Sequence, residues 1–185
     1  MVAALADVRR RAGLTALYLG IFATVWLSVP AAEPPLGVLL VVASIAALIT
    51  AVAGGVLVFR ARADGPVLRD AAADRRYLVI FAAELATAGF GAMLLAVTHR
   101  SEYIPVLVGA IVGVHFWPLA PVLKDPALRV LAVLVVLAAL TGLITGLVST
   151  IPAGQVVGAG IGVLLLGYGL GALIRGALTW RVSPA

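Results

Sequence analysis

Residues 127–149 read ALRVLAVLVVLAALTGLITGLVS. The stretch carries a single charge, Arg129, close to its start. It shows no strict alternation of polar and apolar positions, so it does not read as a half-buried strand. Its length matches the ~20 apolar residues that carry an α-helix across a hydrocarbon core of ~30 Å. Backbone groups find no water there, and a segment of this length closes its hydrogen bonds internally as a helix.

Five further segments follow the same pattern. Together the six run over about 13–30, 36–59, 77–98, 103–123, 127–149 and 153–178. The expected fold is all-α: a polytopic bundle of six transmembrane helices forming one domain over residues 1–185. Composition agrees, because 63% of the chain is hydrophobic and 11% is charged, whereas soluble domains carry about 25% charged residues. Mean hydropathy is +1.18. Punctuation falls between the segments. Pro34-Pro35 separates the first two, and Asp125-Pro126 offers an N-cap with a first-turn proline to the fifth.

Charge sets the expected orientation. With the N-terminus in the cytoplasm, eleven arginines and Lys124 fall on the cytoplasmic side and only Arg100 on the outer side. This positive-inside bias puts both termini in the cytoplasm. The net charge of +5 is spread over the ends of apolar runs, where basic residues meet lipid headgroups, and not gathered into a nucleic-acid surface. Twelve arginines against one lysine in an Ala/Leu/Val/Gly-rich chain fit a GC-rich bacterial gene, and hence the bacterial cytoplasmic membrane. The first segment, preceded by Arg9-Arg10-Arg11 and followed by Ala31-Ala32, has some features of a cleaved signal. Its apolar run exceeds the 7–15 residues usual for one, so a retained helix is expected.

The cytoplasmic loop 60–76 is the one sizeable hydrophilic stretch, and it reads as a connector whose arginines meet anionic headgroups. Trp26 and Pro30, then Trp117 and Pro121, share a four-residue spacing. Each pair precedes an acid and a proline, Glu33-Pro34 and Asp125-Pro126. A three-plus-three inverted repeat, as in many transporters, is one reading of this; coincidence is the other.

Glycine spacing is the most abundant signal. Span four holds Gly109 and Gly113, span five Gly142 and Gly146, and span six Gly154, Gly158 and Gly162, then Gly167 and Gly171. Small residues four apart let helix backbones approach closely in a membrane. Packing within the chain is their first expected use; a homodimer through span six and a backbone-lined pathway are the others.

Glu84 is the one acid deep in an apolar run, seven residues inside Tyr77. That places it ~10 Å into the core. Its helical neighbours Thr87, Ala88 and Gly91 are small, so the face should pack on another helix. An acid at the centre of a span costs ~2.5–3.5 kcal/mol on insertion scales, and a partner offsets part of this. Spans three and four form an antiparallel hairpin about the turn His99–Glu102. Reflection through that turn carries Glu84 onto Trp117, two residues from His115 and so within ~3 Å of its depth. Contact between Glu84 and His115, direct or through water, is expected toward the cytoplasmic half of the membrane.

Pro118 and Pro121 lie at the same level and free the carbonyls of Val114 and Trp117. Two readings stay open: a kinked helix with a satisfied histidine, or a small intramembrane polar cavity of Glu84, His115, Trp117 and Thr87. The hexapeptide His115-Phe116-Trp117-Pro118-Leu119-Ala120, near the end of a fourth span, resembles the H-F-x-P-L-A signature of an uncharacterised family of small six-span bacterial membrane proteins. Trp117 stands where Phe or Leu is more usual. The resemblance covers this hexapeptide and the general layout, and it implies no activity.

Other chemistry is mostly excluded. Cysteine is absent, which removes disulfides, thiolate catalysis and Cys-bound metals. The chain has no H-E-x-x-H, G-x-S-x-G, P-loop or dinucleotide fingerprint, and Glu84 with His115 is too small a ligand set for a structural metal. No cofactor, metal or nucleic-acid partner is expected, and the bilayer is the expected surrounding. The sequence favours a structural or accessory membrane protein without catalytic residues. A small proton-coupled transporter using Glu84 and His115 is the alternative, its small-molecule or ion substrate unspecified.

Overall fold

The computed structural model describes residues 2–63 and 71–178. Six α-helices follow in chain order: α1 (Val2–Ser28), α2 (Leu36–Ala63), α3 (Ala71–Val97), α4 (Ile104–Leu123), α5 (Ala127–Val148) and α6 (Ala153–Leu178). Each contains a stretch long and apolar enough to cross a membrane, and among the described residues there is no strand. This is the all-α architecture of a multi-pass membrane protein.

The helices overrun the apolar runs at their polar ends. Of the hydrophilic loop expected at 60–76, residues 60–63 continue α2 and 71–76 already belong to α3; 64–70, with Pro66, lie outside the described residues. α1 starts well before residue 13, which changes the part played by its arginines. Residues two positions apart on a helix are ~200° apart in azimuth. Accordingly Arg11 faces outward and pairs with Asp7 at 2.7 Å, while Arg9 is buried. The expectation that all three arginines anchor to headgroups fails at Arg9.

Two helices end in the same way. His99 (φ 56°) and Lys124 (φ 54°) adopt the left-handed conformation. Arg100 N–H donates to Leu95 O and His99 N–H to Ala96 O; Asp125 N–H donates to Ala120 O and Lys124 N–H to Pro121 O. Each pair of bonds is a Schellman cap, closing the last turn and reversing the chain. After the second cap, an Asp125 carboxylate oxygen accepts the Ala127 N–H at 3.2 Å, so Asp125 caps the entry to α5 as its position predicts.

The chain forms two compact units. One comprises α1, α2 and α6 from Gly162 onward; the other comprises α3, α4, α5 and α6 up to Ile161, with residues Val29–Ala32. These divisions do not coincide with the halves of a three-plus-three repeat, since α3 lies in the unit of α4 and α5.

In the first unit, α1 presents Arg9, Gly13, Ala16, Gly20, Ala23 and Leu27 on one buried stripe. The alternating spacing of four and three residues is that of a coiled-coil seam. α2 answers with Ala47, Ala51, Gly54, Val58 and Ala61, also buried. Because most of these side chains are hydrogen or methyl, the two backbones lie in contact. In the second unit, Gly109 of α4 faces Ile161 and Val157 of α6, Gly113 faces Val136 and Ala132 of α5, and Gly142 of α5 faces Val157. Gly146 meets Ala153, and Gly154 meets Pro105.

The glycines of α6 do not all serve packing. Gly158 and Gly162 are buried, and a Cβ at Gly162 would stand 2.5 Å from Leu27 Cγ. Among the described residues, a Cβ at Gly167 would meet nothing within 4 Å, and one at Gly171 only Arg175 of its own helix. The reason is azimuth: the buried seam continues through Leu165, Gly169 and Ala172, and residue 167 is turned ~200° from 165. Gly162→Leu should therefore lower stability in detergent by about 1–3 kcal/mol, the usual cost of overpacking, while Gly167→Leu should leave melting nearly unchanged. Equal effects would refute this assignment of faces.

Candidate functional site

The site is built on the α3–α4 hairpin. α3 begins six residues before Tyr77, so Glu84 is its central residue. No residue of the apolar part of α3 is fully buried in the protein, and its packing is chiefly against α4. Where the two helices meet, Gly91 admits the Leu107 side chain, with a Cβ there only 2.5 Å from Leu107 Cδ2. About two turns away along the same face, Glu84 meets His115.

His115 Nδ1 lies 3.1 Å from Glu84 Oε2, and the two side chains are 8% and 14% exposed. The approach is an ion-pair distance, but it is out of line for a hydrogen bond, and Nδ1 is a buried nitrogen without one. The imidazole lies against the Ile80 backbone, one turn before Glu84. Carboxyl and imidazole thus share a small polar volume between two otherwise apolar helices. Net charge there is costly, and a carboxyl–imidazole pair avoids it when it carries one proton in total.

A groove of about 490 Å³ runs beside the pair, lined by Val79, Ile80, Ala83, Glu84, Thr87, Ala110, Ile111, Val114, His115 and Pro118. Val79 and Val114 stand at its rim, 62% and 65% exposed, so it opens sideways. Thr87 lines it, but its hydroxyl donates to the Ala83 carbonyl at 2.7 Å, which leaves the Thr87 oxygen as an acceptor. Pro118 belongs to the wall; Pro121 does not. Both prolines lie inside the continuous helix Ile104–Leu123.

Trp117 stands apart from this group. It is 54% exposed, and the Arg129 guanidinium of α5 lies 5.9 Å from its ring centroid, a cation–π distance. Two residues beyond His115, it is turned to the opposite side of α4. Its assignment to the polar site is therefore corrected, for reasons of azimuth. The hairpin register explains why reflection reached Trp117 at all. The pairs Glu84–His115 and Gly91–Leu107 are centred at positions 99.5 and 99, at or beside His99, the residue that makes the turn, and not on the middle of His99–Glu102.

The residues missed by sequence reasoning are Gly13, Gly20 and Gly54 with the alanines of the α1–α2 seam. Their signal was present as small residues at alternating four- and three-residue spacing. Among the described residues, no group of three His, Asp or Glu side chains is placed to hold a metal ion. Compared with protein-family models, curated proteins and solved structures, the chain matches none.

Proposed function

We propose that this chain is a multi-pass protein of a bacterial cytoplasmic membrane, with both termini in the cytoplasm and a structural or accessory role, without catalytic residues. The observation that carries the reading is the Glu84–His115 contact in an apolar wall. Two polar side chains facing each other across a helix pair fasten that pair at one register, because sliding or rotation would leave each alone in hydrocarbon. The H-F-x-P-L-A resemblance enters as kinship with small six-span bacterial membrane proteins and adds no activity. A homodimer through α6 would use Gly167 and Gly171, where an added Cβ would meet no other helix among the described residues.

A second reading, a small proton-coupled transporter using Glu84 and His115, is favoured by the groove beside the pair. Proteoliposomes holding a pH-sensitive dye separate the two. Under an imposed proton gradient, the structural reading expects equal acidification with the parent protein and with Glu84→Gln. Flux that depends on Glu84 would replace it with the transport reading.

Topology is tested independently. Reporter fusions after Glu33, Arg100 and Ala153 should read as external, given the distribution of Lys and Arg. A cytoplasmic signal at Arg100 would overturn the orientation.

A further inference from the structure

We propose that the α3–α4 groove binds a lipophilic organic cation, and that the cation takes the place of the proton held between Glu84 and His115. The inference concerns binding, and it stands whether or not the site carries protons across the bilayer.

Three observations lead to it. The groove is open on one side and apolar except at the pair and Thr87, and its volume of about 490 Å³ lies within the range of small-molecule sites. Its one acid is Glu84, from α3, and the titratable group facing Glu84 from α4 is His115. His115 Nδ1 is buried and lacks a hydrogen bond, so the pair is incompletely satisfied as it stands.

Proton counting gives the ligand class. With one proton, the pair is neutral overall, whichever group holds it. Without that proton it carries one negative charge in an apolar wall, which is costly unless a cation lies alongside. A pair with two protons would instead carry one positive charge, so a cation suits only the form that has lost its proton. A cation that also covers Val79, Ala83 and Val114 with apolar surface satisfies both the charge and the groove. Lipid tails match the apolar wall alone, and hydrated metal ions match the charge alone.

Binding then releases one proton to water for each cation bound. Affinity should rise about tenfold per pH unit while the free pair still holds its proton, and level off once that proton is lost. The sign is fixed by competition: high pH favours the cation, low pH the proton.

The test uses the full-length protein in phosphatidylcholine nanodiscs, with tetraphenylphosphonium as the probe in equilibrium dialysis. Saturable binding that strengthens with pH, with proton release in weakly buffered solution, is expected for the parent protein. Glu84→Gln should abolish it, and tetraphenylborate should not compete. Ala83→Phe, which fills the groove and keeps both members of the pair, should also abolish binding; this variant decides the matter if Glu84→Gln fails to fold. Binding that is flat with pH, or retained in Ala83→Phe, or retained in folded Glu84→Gln, would overturn the proposal. Glu84-independent proton flux with intact cation binding would leave this inference standing and the transport reading refuted.

Discussion

Gly54→Leu should prevent α1 and α2 from packing, whereas Gly55→Ala, one residue along, should be neutral or mildly stabilising. A Cβ at Gly54 would lie 2.5 Å from Leu17 N, 2.7 Å from Gly13 O and 2.9 Å from Ala16 Cβ. Two of those atoms are backbone, so no rotamer change removes the clash and the helices must separate. Overpacking commonly costs about 1–3 kcal/mol where side chains can yield; at a backbone contact the upper end or beyond is expected. Gly162→Leu should be milder, because its first obstacle is the movable side chain of Leu27.

Gly55 is the control. Its Cβ would meet only Leu17 Cδ1, at 3.8 Å, an ordinary contact. Replacing a helical glycine by alanine favours the helix by up to ~1 kcal/mol. Thermal unfolding of both variants in one detergent compares them directly. Equal losses would mean that the seam is not where α1 and α2 meet.

That seam also shows how far the sequence could be read. The six helices were legible because hydrocarbon thickness imposes a length on every span, and residues such as those from Ala127 to Val148 meet it without a competing pattern. Which faces pack was less legible, since a residue facing lipid and a residue facing another helix are both apolar. Glycine at four-residue spacing marked Gly109, Gly113, Gly142 and Gly162 correctly, and marked Gly167 and Gly171 where nothing packs. The α1–α2 stripe went unread because alanines share it with glycines and its spacing alternates.

The candidate site was legible in depth but not in azimuth. Antiparallel reflection fixes height to within a residue or two, enough to bring Glu84 to His115. Height alone cannot separate His115 from Trp117, which sits at nearly the same level on the other side of α4. The turn residue was also hidden: His99 takes a left-handed conformation that glycine usually supplies, so the sequence carries no glycine to mark the hairpin centre.

Breaking the polar pair should cost less than breaking the seam, and it should show a distinct signature. Glu84→Gln and His115→Gln should each lower stability, and the double variant should lose less than the sum of the two. Interhelical polar contacts in membranes are worth about 0.6 kcal/mol on average and up to about 1.7. The coupling energy is expected toward the upper part of that range, because both side chains are largely buried and either one alone would remain in an apolar wall. α3 depends chiefly on α4 for its packing, so its loosening should appear as faster proteolysis within α3, before the whole chain unfolds. Glu84→Leu with His115→Leu supplies the complementary arm. If the pair sets register and not raw stability, this apolar double variant should melt near the parent temperature yet give a less uniform hairpin, seen as slower and incomplete disulfide formation between cysteines placed at Gly91 and Leu107. Strictly additive losses in the glutamine cycle would show that the two side chains lie close without acting on one another, and the fastening role of the hairpin pair would have to be abandoned.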